Sequence, residues 1–147
     1  MGVSFAVITS AYGRQSQGTV RPHLLDLPVS QYGVDMADHT DDLRLAHILA
    51  DDADSLTMSR FGARDLTVST KPDHSEVTDA DLAVEDSVRR TLSRMRSRDA
   101  VHGEERADTG DGPRRWIIDP IDGTANFLRG VPVWATLIAL SVEDQIV

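Results

Sequence analysis

The 147-residue sequence predicts an α+β fold in which two helices are followed by several short strands. Two segments carry apolar side chains at the spacing of a helix face, and the later runs are short and rich in Val and Ile, as buried strands are. Hydrophobic residues make up 40% and charged residues 27% of the chain, which is usual for a globular protein. The length allows one domain of ordinary size.

The first helix is predicted over residues 40–61, where leucine and alanine side chains form one apolar face. Asp38 or Thr40 is expected to cap its N-terminus, and acidic residues fill its first turn. Gly62 is expected to end the helix, since glycine favours the left-handed conformation found after many helices.

A second helix is predicted to begin near Thr78, after an irregular or extended stretch over residues 63–77. Its apolar residues recur at intervals of three or four, which places them on one face. These residues are Val84, Val88, Leu92 and Met95. The basic residues near its end suit the helix dipole, and we interpret them as a solvated face.

Four runs predict strands after the second helix. The first covers residues 100–102, and the second, residues 115–118, is a buried strand that ends at Asp119. The longest covers residues 133–142 and is apolar at nearly every position, so we expect it to be covered on both faces. Residues 145–147 form the start of a last strand.

The first 35 residues mix Gly, Ser, Gln and Pro and show no sustained period. We interpret residues 1–35 as a leader or disordered extension, with Met36 as a plausible beginning. Residues 36–147 are expected to be the N-terminal part of a domain whose C-terminal part is absent. A chain that stops within an apolar strand would leave a bare sheet edge, which folded proteins avoid.

The acidic charge excludes several classes of partner. A net charge of −9 disfavours binding to nucleic acid and to anionic membranes. No apolar run approaches the roughly 20 residues of a membrane span, and the N-terminus lacks the basic segment of a secretory signal. The chain has no cysteine, which excludes disulfides and fits a cytoplasmic location. An acidic site that binds phosphate would need cations.

The most informative residues lie between positions 116 and 127. Asp119 is expected to leave a strand, and the backbone is expected to turn at Pro120, because proline cannot donate to the ladder. Asp122 follows closely enough for both carboxylates to aim at one point, and the carbonyl of Ile121 adds a third oxygen. Two acids and a carbonyl form a ligand set that suits Mg²⁺.

Gly123 and Thr124 then offer backbone N–H groups at an expected helix start, which could hold phosphate oxygens. Further acids stand at predicted strand and helix ends, namely Glu104, Glu105, Asp79 and Asp81. Together the acids indicate a multi-ion site for transfer of a phosphoryl group to water.

Each signal also has a plain structural interpretation. An Asp-Gly pair is commonly a turn, a Glu-Glu pair is commonly a solvated surface, and Asp79 and Asp81 could be capping residues. A calcium-binding module is disfavoured, because the sequence has no twelve-residue loop with the Asp-x-Asp-x-Asp-Gly pattern.

The segment Trp-Ile-Ile-Asp-Pro-Ile-Asp-Gly-Thr at positions 116–124 closely resembles the signature of the inositol-monophosphatase superfamily. The resemblance extends to residues 103–105 and 77–81 in the same order, and covers residues 40–147. It implies a layered αβαβα metal-dependent sugar-phosphatase fold, of which this chain would form the N-terminal portion.

The resemblance also implies roles for individual residues, with Mg²⁺ as the cofactor. The implied metal ligands are Glu104, Asp119, Asp122 and the carbonyl of Ile121. The implied catalytic residues are Glu104, Asp81 and Thr124. The implied substrate-binding residues are Gly123, Thr124 and Asp122. Lys71 lies near a mobile-loop lysine of the family.

These roles lead to a hypothesis for the reaction. A metal-activated water, held by Glu104 and by the Asp81–Thr124 pair, attacks phosphorus in line, without a covalent enzyme intermediate. Ions at Asp119 and Asp122 neutralise the phosphate and the leaving alkoxide.

Within the superfamily, residues 126–140 and 36–61 most resemble the actinobacterial histidinol-phosphatase branch. This implies a histidinol-phosphate phosphatase of histidine biosynthesis, acting on a small phosphorylated metabolite and forming a homodimer when complete. The alternatives are inositol monophosphatase or another sugar or nucleotide phosphatase of the superfamily. A third alternative is an inactive truncated fragment, because a later Trp-Asp-x-x-Ala-type motif of the family has no counterpart before Val147.

Overall fold

The computed structural model describes the backbone of residues 6–10 and the chain from residue 39 to residue 147. Its elements, in chain order, are β1 (Ala6–Ser10), α1 (Thr40–Arg60), β2 (Val68–Thr70), β3 (Glu76–Thr78), α2 (Asp79–Met95), β4 (Ala100–Gly103), β5 (Arg114–Asp122), α3 (Thr124–Leu128), β6 (Ala135–Val142) and β7 (Gln145–Ile146). The predicted α+β class is confirmed. The leader interpretation of residues 1–35 stays a prediction, because most of that range lies outside the described residues.

The main sheet has the strand order β1-β6-β5-β4, with β7 paired to β6. Among the described strands, β4 and β5 form the one parallel pair, and their register sets Gly103 opposite Ile118. The other pairs are antiparallel. Because β4 and β5 run the same way, their carboxyl ends lie at the same edge of the sheet, and the residues that follow them meet there.

The helices α1 and α2 pack against the sheet and enclose the main core. Alternate side chains of the two central strands point into it, so Trp116, Ile118, Ile138 and Leu140 are buried. The prediction that residues 133–142 are covered on both faces is wrong for this structure. The strand β6 begins at Ala135, and every second side chain up to Ala139 is only half-buried, because one face alone meets the helices.

A second, smaller apolar cluster supports the carboxyl edge of the sheet. It joins Ile121 of β5, Phe127 of α3 and Trp134, with Ala80 of α2 beside them. The Phe127 and Trp134 rings meet edge to face with centroids 5.1 Å apart. The cluster therefore fixes the short helix α3 against the end of β5.

The helix boundaries follow the predictions closely, but the predicted cap of α1 is wrong. His39 occupies the N-cap position without a side-chain hydrogen bond, and Thr40 is already helical. The alternative cap, Asp38, lies outside the described residues. Gly62 follows the helix with a φ of +74°, as expected.

The stretch over residues 63–77 contains more structure than predicted. Val68–Thr70 and Glu76–Thr78 pair as the antiparallel strands β2 and β3. Three-residue strands with exposed side chains give no clear alternation, so the sequence pattern could not reveal them. This hairpin brings its connecting turn, including Lys71, towards the acidic end of the main sheet.

An ionic network ties the start of α1 to the sheet. The carboxylate of Asp42 is buried and accepts hydrogen bonds from Arg96 Nε and from an Arg114 guanidinium nitrogen, each at 2.9 Å. Arg114 also contacts Asp99, and Asp99 accepts a hydrogen bond from the indole of Trp116. The network joins residues that are far apart in the sequence, so it holds α1, α2 and β5 together.

The connection from β4 to β5 covers the edge of the sheet. Val101 and Thr109 exchange backbone hydrogen bonds of 2.8 and 3.0 Å, so the loop returns alongside β4 before β5 begins. His102 and Asp108 add a contact of 2.7 Å across the same loop. Within residues 39–147, no helix combines the length and apolar character needed to cross a bilayer.

Candidate active site

Asp119 lies near the carboxyl end of β5, opposite Leu137 of β6. The prediction that this strand ends at Asp119 is wrong, because β5 continues to Asp122. The register nevertheless shifts between Asp119 and Asp122, as expected from the missing N–H of Pro120. Thr136 Oγ1 donates to the Pro120 carbonyl at 2.8 Å and holds this bulge in place. The half-buried Asp119 and the exposed Asp122 are thus both kept at the sheet edge.

Glu104 and Glu105 follow β4 at the same edge. The Glu104 N–H donates to the Ile118 carbonyl at 3.1 Å, which extends the parallel pairing by one residue and sets Glu104 beside Asp119. The Glu104 side chain is exposed, whereas the Glu105 side chain is only 3% exposed. Parallel pairing therefore joins the two acidic motifs that the sequence separates.

Lys71 of the β2–β3 turn reaches both glutamates. Its Nζ lies 2.7 Å from Glu104 Oε1 and 2.8 Å from Glu105 Oε1. Burial alone would lower the pKa of Lys71, but the two carboxylates outweigh it and raise that pKa above its ordinary value. For Glu105, burial is the larger effect and raises its pKa despite the lysine. Lys71, which lies near a mobile-loop lysine of the family in the sequence comparison, thus contacts the acidic residues of the site.

Asp119 has an unusual electrostatic environment. Burial, and then the neighbouring Glu104, raise its pKa to about 7, with smaller contributions from Asp122 and Asp81. Its buried Oδ1 has no hydrogen-bond partner among the described residues. Three other predicted acids therefore lie close enough to Asp119 to oppose its ionisation.

Asp81 is held at the start of α2. It forms a capping box with Thr78, whose N–H and hydroxyl both donate to Asp81 Oδ2. Asp81 Oδ1 accepts a hydrogen bond of 3.2 Å from the hydroxyl of Thr124. The same hydroxyl lies 3.0 Å from the carbonyl of Ile121, so its single proton can serve only one of the two acceptors well. Asp81 both caps the helix and joins the site.

Gly123 starts the short helix α3 in a conformation that suits glycine. Its φ is +94°, and a Cβ atom built there would lie 3.2 Å from the Val133 carbonyl oxygen. Gly123 and Thr124 are half-buried and follow directly after the exposed Asp122. An open cleft of about 540 Å³ borders this turn, and its walls include Asn126, Val133 and Trp134.

Alanine at Gly123 is expected to destabilise the protein by about 1–2 kcal/mol, because it combines a positive φ with a close backbone contact. Urea unfolding would measure the change. Gly130→Ala is the matched control, since Gly130 has a φ of +69° and no atom near the added methyl group. Equal losses in the two variants would show that the close contact at Gly123 has no energetic effect.

The carboxylates have the chemistry that a hard divalent cation requires, but their side chains are not grouped in a coordination geometry. Among the described residues, no three His, Cys, Asp or Glu side chains are grouped so as to hold a metal ion. Carboxylate oxygens are the preferred ligands of Mg²⁺. Asp119 Oδ1, which has no hydrogen-bond partner among the described residues, is available as such a ligand. Glu104, Asp119 and Asp122 could therefore hold the ion, with Glu104 first leaving Lys71.

One buried acid of this region was not predicted from the sequence. Glu85 of α2 is completely buried, and its carboxylate accepts the Glu105 N–H at 2.7 Å. A signal existed, because Glu85 precedes Val88 by three positions and Leu92 by seven, which places it on the apolar face of the helix. A charged residue beside a buried stripe usually has a partner inside the fold.

This chain is similar to known proteins both in sequence and in fold. Histidinol-phosphatases of Streptomyces coelicolor and Mycobacterium tuberculosis are 66% and 62% identical over 105 and 107 residues, which cover 71% and 72% of this chain. The crystal structure of the extragenic suppressor protein suhB from Bartonella henselae matches with a TM-score of 0.70 and 32% identity. That match covers 74% of this chain and 43% of the suhB chain.

The chain spans 40% and 41% of the length of the two histidinol-phosphatases. The similarity to the solved structure agrees with the prediction that this chain forms the N-terminal portion of the layered αβαβα fold. The sequence profile of the inositol monophosphatase family matches residues 39–147, which include every acid of the site described above. The chain belongs to the inositol monophosphatase family.

Proposed function

We propose that this chain supplies one part of the active site of a Mg²⁺-dependent phosphomonoesterase whose substrate is histidinol phosphate. The observation that carries the proposal is the gathering of Glu104, Asp122 and Asp81 around Asp119, whose pKa burial and these neighbouring acids together raise to about 7. Such a concentration of negative charge cannot accept a phosphate ester without cations. The high identity with two histidinol-phosphatases supports the choice of substrate.

Glu104, Asp119, Asp122 and the Ile121 carbonyl would hold Mg²⁺ in this proposal. A bound Mg²⁺ supplies positive charge for the phosphate and lowers the pKa of a coordinated water. Gly123 and Thr124 would contact the phosphate through their backbone N–H groups, which are free of intrahelical bonds at a helix start. Asp122, exposed beside the same turn, would lie next to the bound substrate.

Thr124 and Asp81 would accept the proton of the attacking water. Water donates to Thr124 Oγ1, and the threonine passes its own proton to Asp81 Oδ1 across the 3.2 Å hydrogen bond. Burial raises the pKa of Asp81 and makes it a better base, although its bonds to Thr78 partly oppose this effect. The oxygen of the water bonds to phosphorus while the bond between phosphorus and the ester oxygen breaks, and the leaving ester oxygen takes up a proton from solvent water.

The test uses a hybrid protein, because the chain matches only part of each relative. In this hybrid, residues 39–147 replace the aligned segment of the Streptomyces coelicolor histidinol-phosphatase. Phosphate release is measured from histidinol phosphate and from an inositol phosphate, with Mg²⁺ and with a chelator. The 147-residue chain is assayed beside it.

The expected result is Mg²⁺-dependent release by the hybrid, with the same preference for histidinol phosphate as its parent. A preference shifted towards the inositol phosphate would support the alternative phosphatase of the family. A well-folded hybrid that releases phosphate from neither substrate would overturn the proposal. Release by the 147-residue chain alone would exclude the inactive-fragment alternative. The accompanying proposals are a cytoplasmic location, a role in histidine biosynthesis and a homodimeric assembly.

A further inference from the structure

Glu85 is a completely buried acid near the site, yet none of the proposed roles uses it. Its side chain is 0% exposed and both of its oxygens are engaged. Oε1 accepts from Arg89 Nε at 2.7 Å, and Oε2 accepts from the Glu105 N–H at 2.7 Å. A buried carboxylate is costly unless it is paired in this way.

The backbone of the acidic loop rests directly on this carboxylate. A Cβ atom at Gly103 would lie 2.1 Å from Glu85 Oε1 and 2.8 Å from an Arg89 guanidinium nitrogen. Both distances are shorter than any real carbon contact, so only glycine allows the approach. Gly103 is therefore required here by space, and Glu104 is the next residue along the chain.

Arg89 extends the same contact along the loop. Its two terminal nitrogens donate to Thr109 Oγ1 at 3.1 Å and to the Arg106 carbonyl at 3.3 Å. The Glu85–Arg89 pair thus holds the loop near both of its ends, at Glu105 and at Thr109. Asp86 adds an exposed ion pair to Arg106 on the same side of α2.

We infer that Glu85 is a positioning residue that sets the Glu104 carboxylate for metal binding. Glu85 contacts the backbone on either side of Glu104, through the Glu105 N–H and through the packing against Gly103. If this anchor is lost, the Glu104 backbone keeps its hydrogen bond to the Ile118 carbonyl, but its carboxylate is held less firmly relative to Asp119. The inference rests on the proposed function, because Glu104 is a metal ligand only within it.

Glu85→Gln is the sharpest variant, because the shape is kept and one acceptor is lost. Glutamine has a single side-chain oxygen for two donors, Arg89 Nε and the Glu105 N–H, so one of them must face an N–H₂ group. Asp86→Asn is the matched control, since Asp86 is the neighbouring acid of α2 and bonds to the same loop from an exposed position.

The first measurement is the binding of Mn²⁺ to the 147-residue chain, which is quantified from the EPR signal of the Mn²⁺ that stays free. We expect Glu85→Gln to weaken binding by about 10- to 100-fold, as loss of partners behind metal ligands does. Asp86→Asn should stay within about twofold of the unsubstituted chain. Gly103→Ala should reproduce the weakening, because the added methyl group displaces the same contact.

A second measurement separates positioning from general loss of structure. In the hybrid, Glu85→Gln should raise the Mg²⁺ concentration for half-maximal rate by about tenfold, with kcat at saturating Mg²⁺ changed less than about threefold. Amide exchange should quicken over residues 103–109 and remain unchanged in the core of α2.

The inference is overturned if Glu85→Gln binds Mn²⁺ like the unsubstituted chain, or if Asp86→Asn weakens binding equally. It is also overturned if the unsubstituted chain binds no Mn²⁺. A hybrid that binds Mn²⁺ normally but releases no phosphate would contradict the proposed function alone. Because binding and turnover are measured separately, the two failures are distinguishable.

Discussion

Asp119→Asn is expected to lower Mg²⁺-dependent phosphate release by the hybrid at least about 10³-fold, which corresponds to roughly 4 kcal/mol of transition-state stabilisation. Asp119 supplies a buried oxygen with no hydrogen-bond partner among the described residues, and three other acids of the site act on its charge. The substituted amide keeps the shape but removes the charge that would hold the ion. Steady-state assays at saturating Mg²⁺ would measure the loss, and near-normal activity would contradict the mechanism.

The same variant is expected to be more stable than the unsubstituted chain when no metal is present. The pKa of Asp119 is about 7 in the folded state and about 4 when unfolded, so the folded state binds the extra proton between these values. Stability therefore falls as the pH rises from about 4 to 7, and asparagine removes this fall. At pH 8 we expect a Tm higher by at least about 3 °C.

Thermal unfolding at pH 5 and at pH 8, with a chelator present, would measure this gain. The gain should be small at pH 5, where Asp119 is protonated, and larger at pH 8. Asp51→Asn is a suitable control, because Asp51 is exposed on α1. An equal gain at both pH values would show that the charge of Asp119 is not the cause.

Asp42→Asn is expected to destabilise the protein by about 2 kcal/mol, or about 5–10 °C in Tm at pH 7. Burial alone would raise the pKa of Asp42, but the hydrogen bonds and charges of Arg114 and Arg96 outweigh it and lower that pKa. The amide keeps one acceptor and turns an N–H₂ group towards the second guanidinium. Both arginines reach solvent, so the loss is smaller than for a fully buried pair.

The pH dependence of this network has the opposite sign to that of Asp119. A carboxyl whose pKa is lowered in the folded state adds stability above its unfolded pKa, and this stability is lost as the pH falls through the folded value. The difference in Tm between Asp42→Asn and the unsubstituted chain should therefore shrink at acid pH. Asp41→Asn is the matched control, because Asp41 is the exposed neighbour with a surface ion pair. A similar loss in both variants would refute the role of burial.

The acidic motifs could be assigned to one site from their resemblance to a family, but their contact could not be derived from spacing. Glu104 meets Asp119 only because β4 pairs parallel with β5, and the residue spacing within each strand does not tell which strands will pair. The hairpin that carries Lys71 was missed for the related reason that short exposed strands show no period. The irregularity expected at Pro120 is present as a bulge, but the strand does not end there, because the missing N–H interrupts the ladder only locally.

Buried polar partners are the other part that the pattern could not supply. Helical periodicity predicted an apolar face of α2, and Val84, Val88 and Leu92 are buried as expected. The prediction is wrong for Met95, which is exposed at the end of the helix. The buried Glu85 depends on a donor from a distant loop, and Asp42 depends on two arginines from other elements. Such pairs are visible only once the fold has brought their members together.

The loop that returns from Thr109 along β4 also has a consequence for solubility. Its backbone exchange with Val101 satisfies part of the outer edge of β4, which would otherwise be a template for strands of other molecules. Deletions that remove Thr109 would therefore favour aggregation as well as loss of the site. Insertions after Gly110, where the chain is exposed and the bridge is already formed, should be far better tolerated.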